Sequence, residues 1–150
     1  MGKIIYIIYY SKGGNTKSLA KRIYDQFREF APKTIELRLM DADAEFDLDA
    51  LLSANAYIIG TPDFFSYPAG FIKRVYDEFW INREQIKGKP MFGFVTHGGG
   101  GKADKPLLDL ANSCKLKVIK TVVSQKENEF SEKLDKVIQK NCEEMLKLLE

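Results

Sequence analysis

Two hydrophobic patterns alternate along this chain. Nearly continuous apolar runs of strand length occur at Lys3–Tyr10, Ala56–Gly60 and Pro90–Thr96. Such runs suit strands covered on both faces. Two more segments, Thr34–Leu39 and Leu116–Val123, begin by alternating: Ile35, Leu37 and Leu39 against Thr34, Glu36 and Arg38, then Leu116 and Val118 against Lys115 and Lys117. They predict strands covered on one face. Between the strands, apolar residues fall at helical spacing. Helices are predicted over Thr16–Phe30 (Leu19, Ile23, Phe27, Phe30), Ala69–Ile81, Ala103–Cys114 and Asn128–Leu149 (Phe130, Leu134, Val137, Ile138, Met145, Leu149). Pro106 is tolerable because it lies in a first turn. A short helical turn over Leu48–Ala54 follows an aspartate-rich loop, Asp41–Asp49.

Strict alternation of strand and helix predicts an α/β fold, a three-layer sandwich with a five-stranded parallel sheet between helices. The alternating strands, second and fifth, belong at the edges. The continuous ones, first, third and fourth, belong inside. That selects the order 2-1-3-4-5, whose topological switch point lies between strands one and three. Ligands of open parallel sheets bind beyond the carboxyl ends of the strands at such a point. The loops there are Ser11–Thr16, Thr61–Tyr67 and His97–Gly101, and each has unusual composition.

With 150 residues, the chain is expected to form a single domain, 1–150. The net charge of +2, with scattered lysines, gives no reason to expect nucleic acid. No stretch reaches transmembrane length, and no signal peptide precedes the first strand. A cytoplasmic protein without membrane contact is expected. Cys114 and Cys142 fall far apart in predicted helices and read as free thiols of a reducing compartment. His97 is the only histidine, so no metal site is expected.

The first loop, Ser11-Lys12-Gly13-Gly14-Asn15-Thr16, joins a strand to a helix start. Unpaired N–H groups and the helix dipole make such a junction an anion site. Gly13 and Gly14 let the backbone approach, while Ser11, Asn15 and Thr16 add neutral donors. The loop matches neither G-x-x-x-x-G-K-S/T nor G-x-G-x-x-G, and no cysteine is near enough to serve as a phosphatase nucleophile. Two readings remain: a cofactor held by its phosphate, or a turn capped by Asn15 or Thr16.

These residues give the chain a resemblance to the flavodoxin-like FMN-binding family. Ser11–Thr16 resembles that family's S/T-x-S/T-G-x-T/S phosphate loop. Gly60-Thr61-Pro62-Asp63-Phe64-Phe65-Ser66 resembles the G-S/T-P-x-Y/F-F/Y-G/S flavin-ring loop of its flavodoxin and quinone-reductase branch. Phe71-Ile72-Lys73-Arg74-Val75-Tyr76-Asp77 resembles the helix that follows there. Gly13 departs from the pattern by replacing a hydroxyl residue. The fourth-strand loop has a glycine run where electron-carrier flavodoxins place a stacking tyrosine.

The resemblance implies FMN, with its phosphate on Ser11, Lys12, Gly13, Gly14, Asn15 and Thr16. It places the ring beside Thr61, Pro62, Asp63, Phe64, Phe65 and Ser66, over His97, Gly98, Gly99 and Gly100. One of Phe64, Phe65 and Tyr67 is expected to touch the ring, with Phe64 or Phe65 favoured. Lys12 would supply charge or face solvent. Asp63 would lower the flavin potential or simply face solvent. His97 would donate to the flavin or a quinone oxygen as the catalytic residue, or cap a strand end. Trp80 would cover a neighbour's flavin or pack in the core or an interface.

The implied activity is electron transfer from a reduced nicotinamide or other donor to a quinone-like acceptor. The alternative is a one-electron carrier serving a partner protein. A non-flavin signalling module is disfavoured, because no acidic pair follows strand one. The expected partners are a small-molecule donor or acceptor, or a redox partner protein. The chain is expected to be a monomer or homodimer.

Overall fold

The computed structural model describes residues 2–150. Its elements are β1 (Lys3–Tyr9), α1 (Asn15–Phe30), β2 (Ile35–Asp41), α2 (Leu48–Leu52), β3 (Ala56–Phe64), β4 (Tyr67–Pro68), α3 (Gly70–Ile81), α4 (Arg83–Ile86), β5 (Pro90–His97), α5 (Asp104–Ser113), β6 (Lys117–Val118), β7 (Val123–Lys126) and α6 (Glu132–Leu148). The principal sheet path is β2-β1-β3-β5-β6, and every rung along it is parallel. β7 pairs with β5 further along, also parallel. The five-position order matches the expectation, but the described residues form seven strands.

Both extra strands have local causes. The expected fifth strand, Leu116–Val123, is broken. β6 pairs with Pro90 and Met91, whereas β7 pairs with Phe94–His97. Thr121 and Val122 leave the ladder between them. The other addition is β4. The third strand runs on through Thr61–Phe64, expected as loop, and folds back as an antiparallel hairpin. α6 begins at Glu132 rather than Asn128. Ser131 caps it, its Oγ accepting from Leu134 N at 3.1 Å. Phe130 therefore stands outside the helix, with the Arg22 guanidinium 4.3 Å from its ring centroid.

The continuous apolar runs supply both faces of the sheet, because alternate side chains point opposite ways. Tyr6, Ile8, Tyr57, Ile59, Met91 and Val95 face one way, with Ile72, Val75, Phe79 and Leu107 from α3 and α5. Ile5, Ile7, Ile58, Phe92 and Phe94 face the other, with Leu19, Ile23, Phe27, Ile138 and Met145 from α1 and α6. Arg22 of α1 and Asp135 of α6 add a bidentate ion pair at 2.7–2.8 Å.

Gly60 lies opposite Tyr9 on one side and Phe94 on the other. A Cβ there would overlap the Phe94 ring, which is fully buried. At Gly93 the nearest obstacle is the flexible end of Leu107, 2.6 Å from a Cβ. Gly60→Ala is expected to cost about 3 kcal/mol in urea unfolding, the upper range for overpacking. Gly93→Ala should cost less. Equal losses would mean that the Phe94 ring yields as freely as Leu107.

Candidate functional site

At the carboxyl end of β1 the chain turns through Ser11–Gly14 into α1. Gly14 has φ +102°, a conformation glycine adopts at no steric cost. Its N–H donates to Ser11 Oγ at 3.1 Å, and its carbonyl accepts from Ser18 N at 2.9 Å. The N–H groups of Gly13, Asn15, Thr16 and Lys17 have no protein acceptor among the described residues. A Cβ at Gly13 or Gly14 would meet nothing within 4 Å. Free amides, a helix N-terminus and open space above it fit an oxygen-rich dianion. Ser11 Oγ accepts inside the loop, which leaves its O–H proton able to point outward. Lys12 is exposed at the rim.

Thr16 is placed differently from a free donor. It is buried, and its hydroxyl lies 2.6 Å from the hydroxyl of Thr96 at the end of β5. This pair ties the start of α1 to the sheet. Thr96 was not anticipated. The signal for it was a hydroxyl at the carboxyl end of an otherwise apolar strand.

The cleft above the sheet holds about 200 Å³ and is lined by Lys12, Gly13, Asn15, Thr16, Pro62, Asp63, Phe64, Thr96, His97, Gly98 and Glu127. The structure thus brings parts of all three predicted loops together. Phe64 is half-buried, with its ring edge-on to Tyr10 at 6.3 Å. Phe65 is fully exposed and lines no cavity. Tyr67 is likewise exposed. Among the three aromatics, Phe64 alone stands at the cleft. Thr61 is buried and structural: its Oγ1 accepts from Ala69 N and donates to the Pro62 carbonyl, both at 2.8 Å. Ser66 lies in the hairpin turn, outside the cleft lining.

Asp63 is not a solvent-facing residue. Its Oδ1 accepts from Ser66 N at 2.8 Å, and its Oδ2 from Lys102 N at 2.8 Å and Ala103 N at 3.3 Å.

His97 ends β5. Its Nδ1 accepts from Gly99 N at 3.0 Å, so the neutral ring carries its proton on Nε2. The ring lies against Gly101, where a Cβ would come within 3.3 Å of it and φ of +65° strains any other residue. Gly98 and Gly100 have amides without an acceptor among the described residues, and a Cβ at Gly98, Gly99 or Gly100 would meet nothing. Asp104, at the start of α5, was not anticipated either. Its Oδ1 is buried without a partner. Burial raises its carboxyl above the usual range; His97 opposes the shift and Asp63 adds to it.

The remaining candidates lie elsewhere. Trp80 is exposed at the end of α3, under the Arg83 guanidinium at 4.1 Å. Cys114 and Cys142 are buried free thiols; burial pushes Cys114 up to about 11 and Cys142 higher still. Such thiols stay protonated and inert.

Residues 7–106, spanning all three loops, match the family model for flavodoxin. The chain belongs to the flavodoxin family. Its cofactor is FMN, and the donor set fits: free amides for the phosphate, Phe64 as a wall, and unencumbered glycine amides opposite it. Solved structures agree on the fold. An archaeal flavodoxin superposes with a TM-score of 0.82 at 17% identity, covering 98% of this chain and 99% of its own. A WrbA-like flavodoxin from Agrobacterium tumefaciens gives 0.78 at 17% identity, with 99% and 98% covered. Rubredoxin oxygen:oxidoreductase from Desulfovibrio gigas gives 0.80 at 20% identity; 97% of this chain covers 37% of that one. No curated protein matches by sequence. No helix among the described residues is long and apolar enough to cross a membrane.

Two predictions test this flavodoxin cleft. Ser11→Ala should weaken FMN about tenfold, the worth of one hydrogen bond to a charged group, and leave riboflavin unchanged in fluorescence titrations. Equal losses for both ligands would remove the phosphate from this loop. Asp104→Asn tests the buried carboxyl. A raised folded pKa means that the folded chain binds protons more tightly than the unfolded one, so ionisation costs stability as pH rises past the ordinary carboxyl range. The variant should raise Tm at pH 7, with the gain fading as pH falls toward 3. A gain independent of pH would contradict this.

Proposed function

We propose that this flavodoxin-family protein is an FMN-dependent oxidoreductase, passing electrons from a reduced nicotinamide or another small donor to a quinone-like acceptor. The observation that carries this reading is the loop after β5. From Gly98 to Gly101 it holds no side chain, and three of its four positions open onto free space. A planar acceptor could therefore lie against a ring held beside Phe64. Bound FMN supplies the redox chemistry.

The chain supplies the rest. The amides of Gly13, Asn15 and Thr16, with the Ser11 hydroxyl, hold the phosphate. Phe64 excludes water from one side. The amide of Gly98, which lines the cleft, stands ready for a pyrimidine oxygen, where negative charge grows on reduction. His97, held by Gly99 N–H with its own N–H on Nε2, stands at the mouth of the cleft as a hydrogen-bond donor to the acceptor oxygen, where negative charge grows on reduction. Buried free thiols support a reducing compartment, the cytoplasm.

One observation favours a second reading, a one-electron carrier. Phe65 projects fully exposed from the hairpin tip beside the cleft, where a protein partner could cover it. The archaeal neighbour is itself described as a flavodoxin. Purified protein loaded with FMN, mixed with NADH or NADPH and benzoquinone, separates the two. Steady turnover without a partner protein is expected, and its absence would leave the carrier. His97→Ala should slow that turnover about 100-fold, within the usual range for a lost donor to a developing oxyanion, while FMN affinity stays within about twofold. Unchanged turnover would remove His97 from stabilising the reduced acceptor.

A further inference from the structure

The parallel ladder between β3 and β5 ends at the pair Pro62–Thr96. Beyond that rung the two strands supply opposite walls of the cleft. β3 continues into the β3–β4 hairpin, and β5 continues through His97 into the glycine loop. One side chain spans the gap. Asp63 is the first residue past the last rung, and its carboxylate reaches both ways.

On the hairpin side, Oδ1 accepts from Ser66 N at 2.8 Å. The turn it braces is unusual. Phe65 and Ser66 have φ of +56° and +63°, the left-handed region that two-residue hairpin turns require and that Asn-Gly or Asp-Gly normally fill. An aromatic residue and a serine adopt it here against their own preference, so the turn depends on an added restraint. On the other side, Oδ2 accepts from Lys102 N at 2.8 Å and Ala103 N at 3.3 Å. These amides belong to the turn that leads into α5, whose N-cap residue is Ala103 and has no side-chain cap. The carboxylate fixes the turn just ahead of that helix start, where negative charge is favoured, and it arrives from about 40 residues away.

We infer that Asp63 is a positioning residue that latches the hairpin wall to the glycine-loop wall and so sets the width of the cleft for the isoalloxazine ring. This rests on the FMN reading and sharpens it. Asp63 reaches the ring through the spacing of Phe64 and Gly98 rather than by touching it. The latch is specific to a carboxylate. All three of its partners are N–H donors on two sides. An asparagine offers one acceptor and turns an NH2 toward the other side, where donor would face donor.

The test uses the full-length protein in two arms. In the first, hydrogen exchange is followed on the apoprotein. The amides of Ser66, Lys102 and Ala103 are expected to be protected in the wild type and to exchange faster together in Asp63→Asn. Exchange at the rate of free amides in the wild type, or acceleration on one side alone, would overturn the latch. In the second, FMN and riboflavin are titrated by flavin fluorescence. Asp63→Asn is expected to lose about tenfold for both, because the ring is common to them. Asp63→Glu, which keeps both acceptor oxygens, is expected to recover part of each loss. Unchanged binding of both flavins, or a loss confined to FMN, would overturn the proposal. Failure of the wild type to bind either flavin would overturn the FMN reading instead, with the exchange arm still judging the latch.

Discussion

Where parallel strands stop, backbone N–H groups lose their partners, and each must find a turn, a side chain or a ligand. That constraint organises the carboxyl end of this sheet. Polar side chains answer part of it. Ser11 takes the amide of Gly14, Asp63 takes those of Ser66, Lys102 and Ala103, and His97 takes that of Gly99. The amides of Gly13, Asn15, Thr16, Lys17, Gly98 and Gly100 stay free of protein acceptors among the described residues. The protein satisfies part of its own turns and leaves free amides at four residues that line one cleft, Gly13, Asn15, Thr16 and Gly98, which suits a phosphorylated cofactor with an oxygen-bearing ring.

Rigidity beneath the cleft comes from the sheet core. Ile5, Ile7 and Ile8 of β1, Ile58 and Ile59 of β3, and Phe92 and Phe94 of β5 are fully buried, and the absence of a side chain at Gly60 leaves the space the Phe94 ring occupies. The buried hydroxyl pair Thr16–Thr96 then carries that rigidity into the first turn of α1. Two elements 80 residues apart are thereby held in fixed relation, so the donors arrive preorganised rather than ordered at binding.

The choice between small-molecule turnover and protein-to-protein electron transfer turns on what covers the ring. The glycine run supplies no cover, while Phe65 stands exposed at the edge. A net charge of +2 gives no strong field toward a partner of either sign. The reactive face is left to be shaped by whatever second molecule arrives.

Periodicity alone carried the element order, the placing of continuous strands inside and alternating strands outside, and the three loops at the switch point. It did so because burial on one or two faces is a property of each segment taken singly. Pairing decided the rest. Residues 61–64 read as loop because Pro62 and Asp63 are poor strand formers, yet the ladder with β5 and the hairpin with β4 hold them extended. Phe64 and Phe65 are adjacent and chemically alike, and only the left-handed turn at Phe65 sends one to the cleft side and the other into solvent. The resemblance put Thr16 among the phosphate donors and left Asp63 either beside the ring or facing solvent. Their partners, Lys102 with Ala103 and Thr96, lie about 40 and 80 residues away. No local pattern encodes such a pairing, because it exists only once the strands that carry the two residues lie side by side.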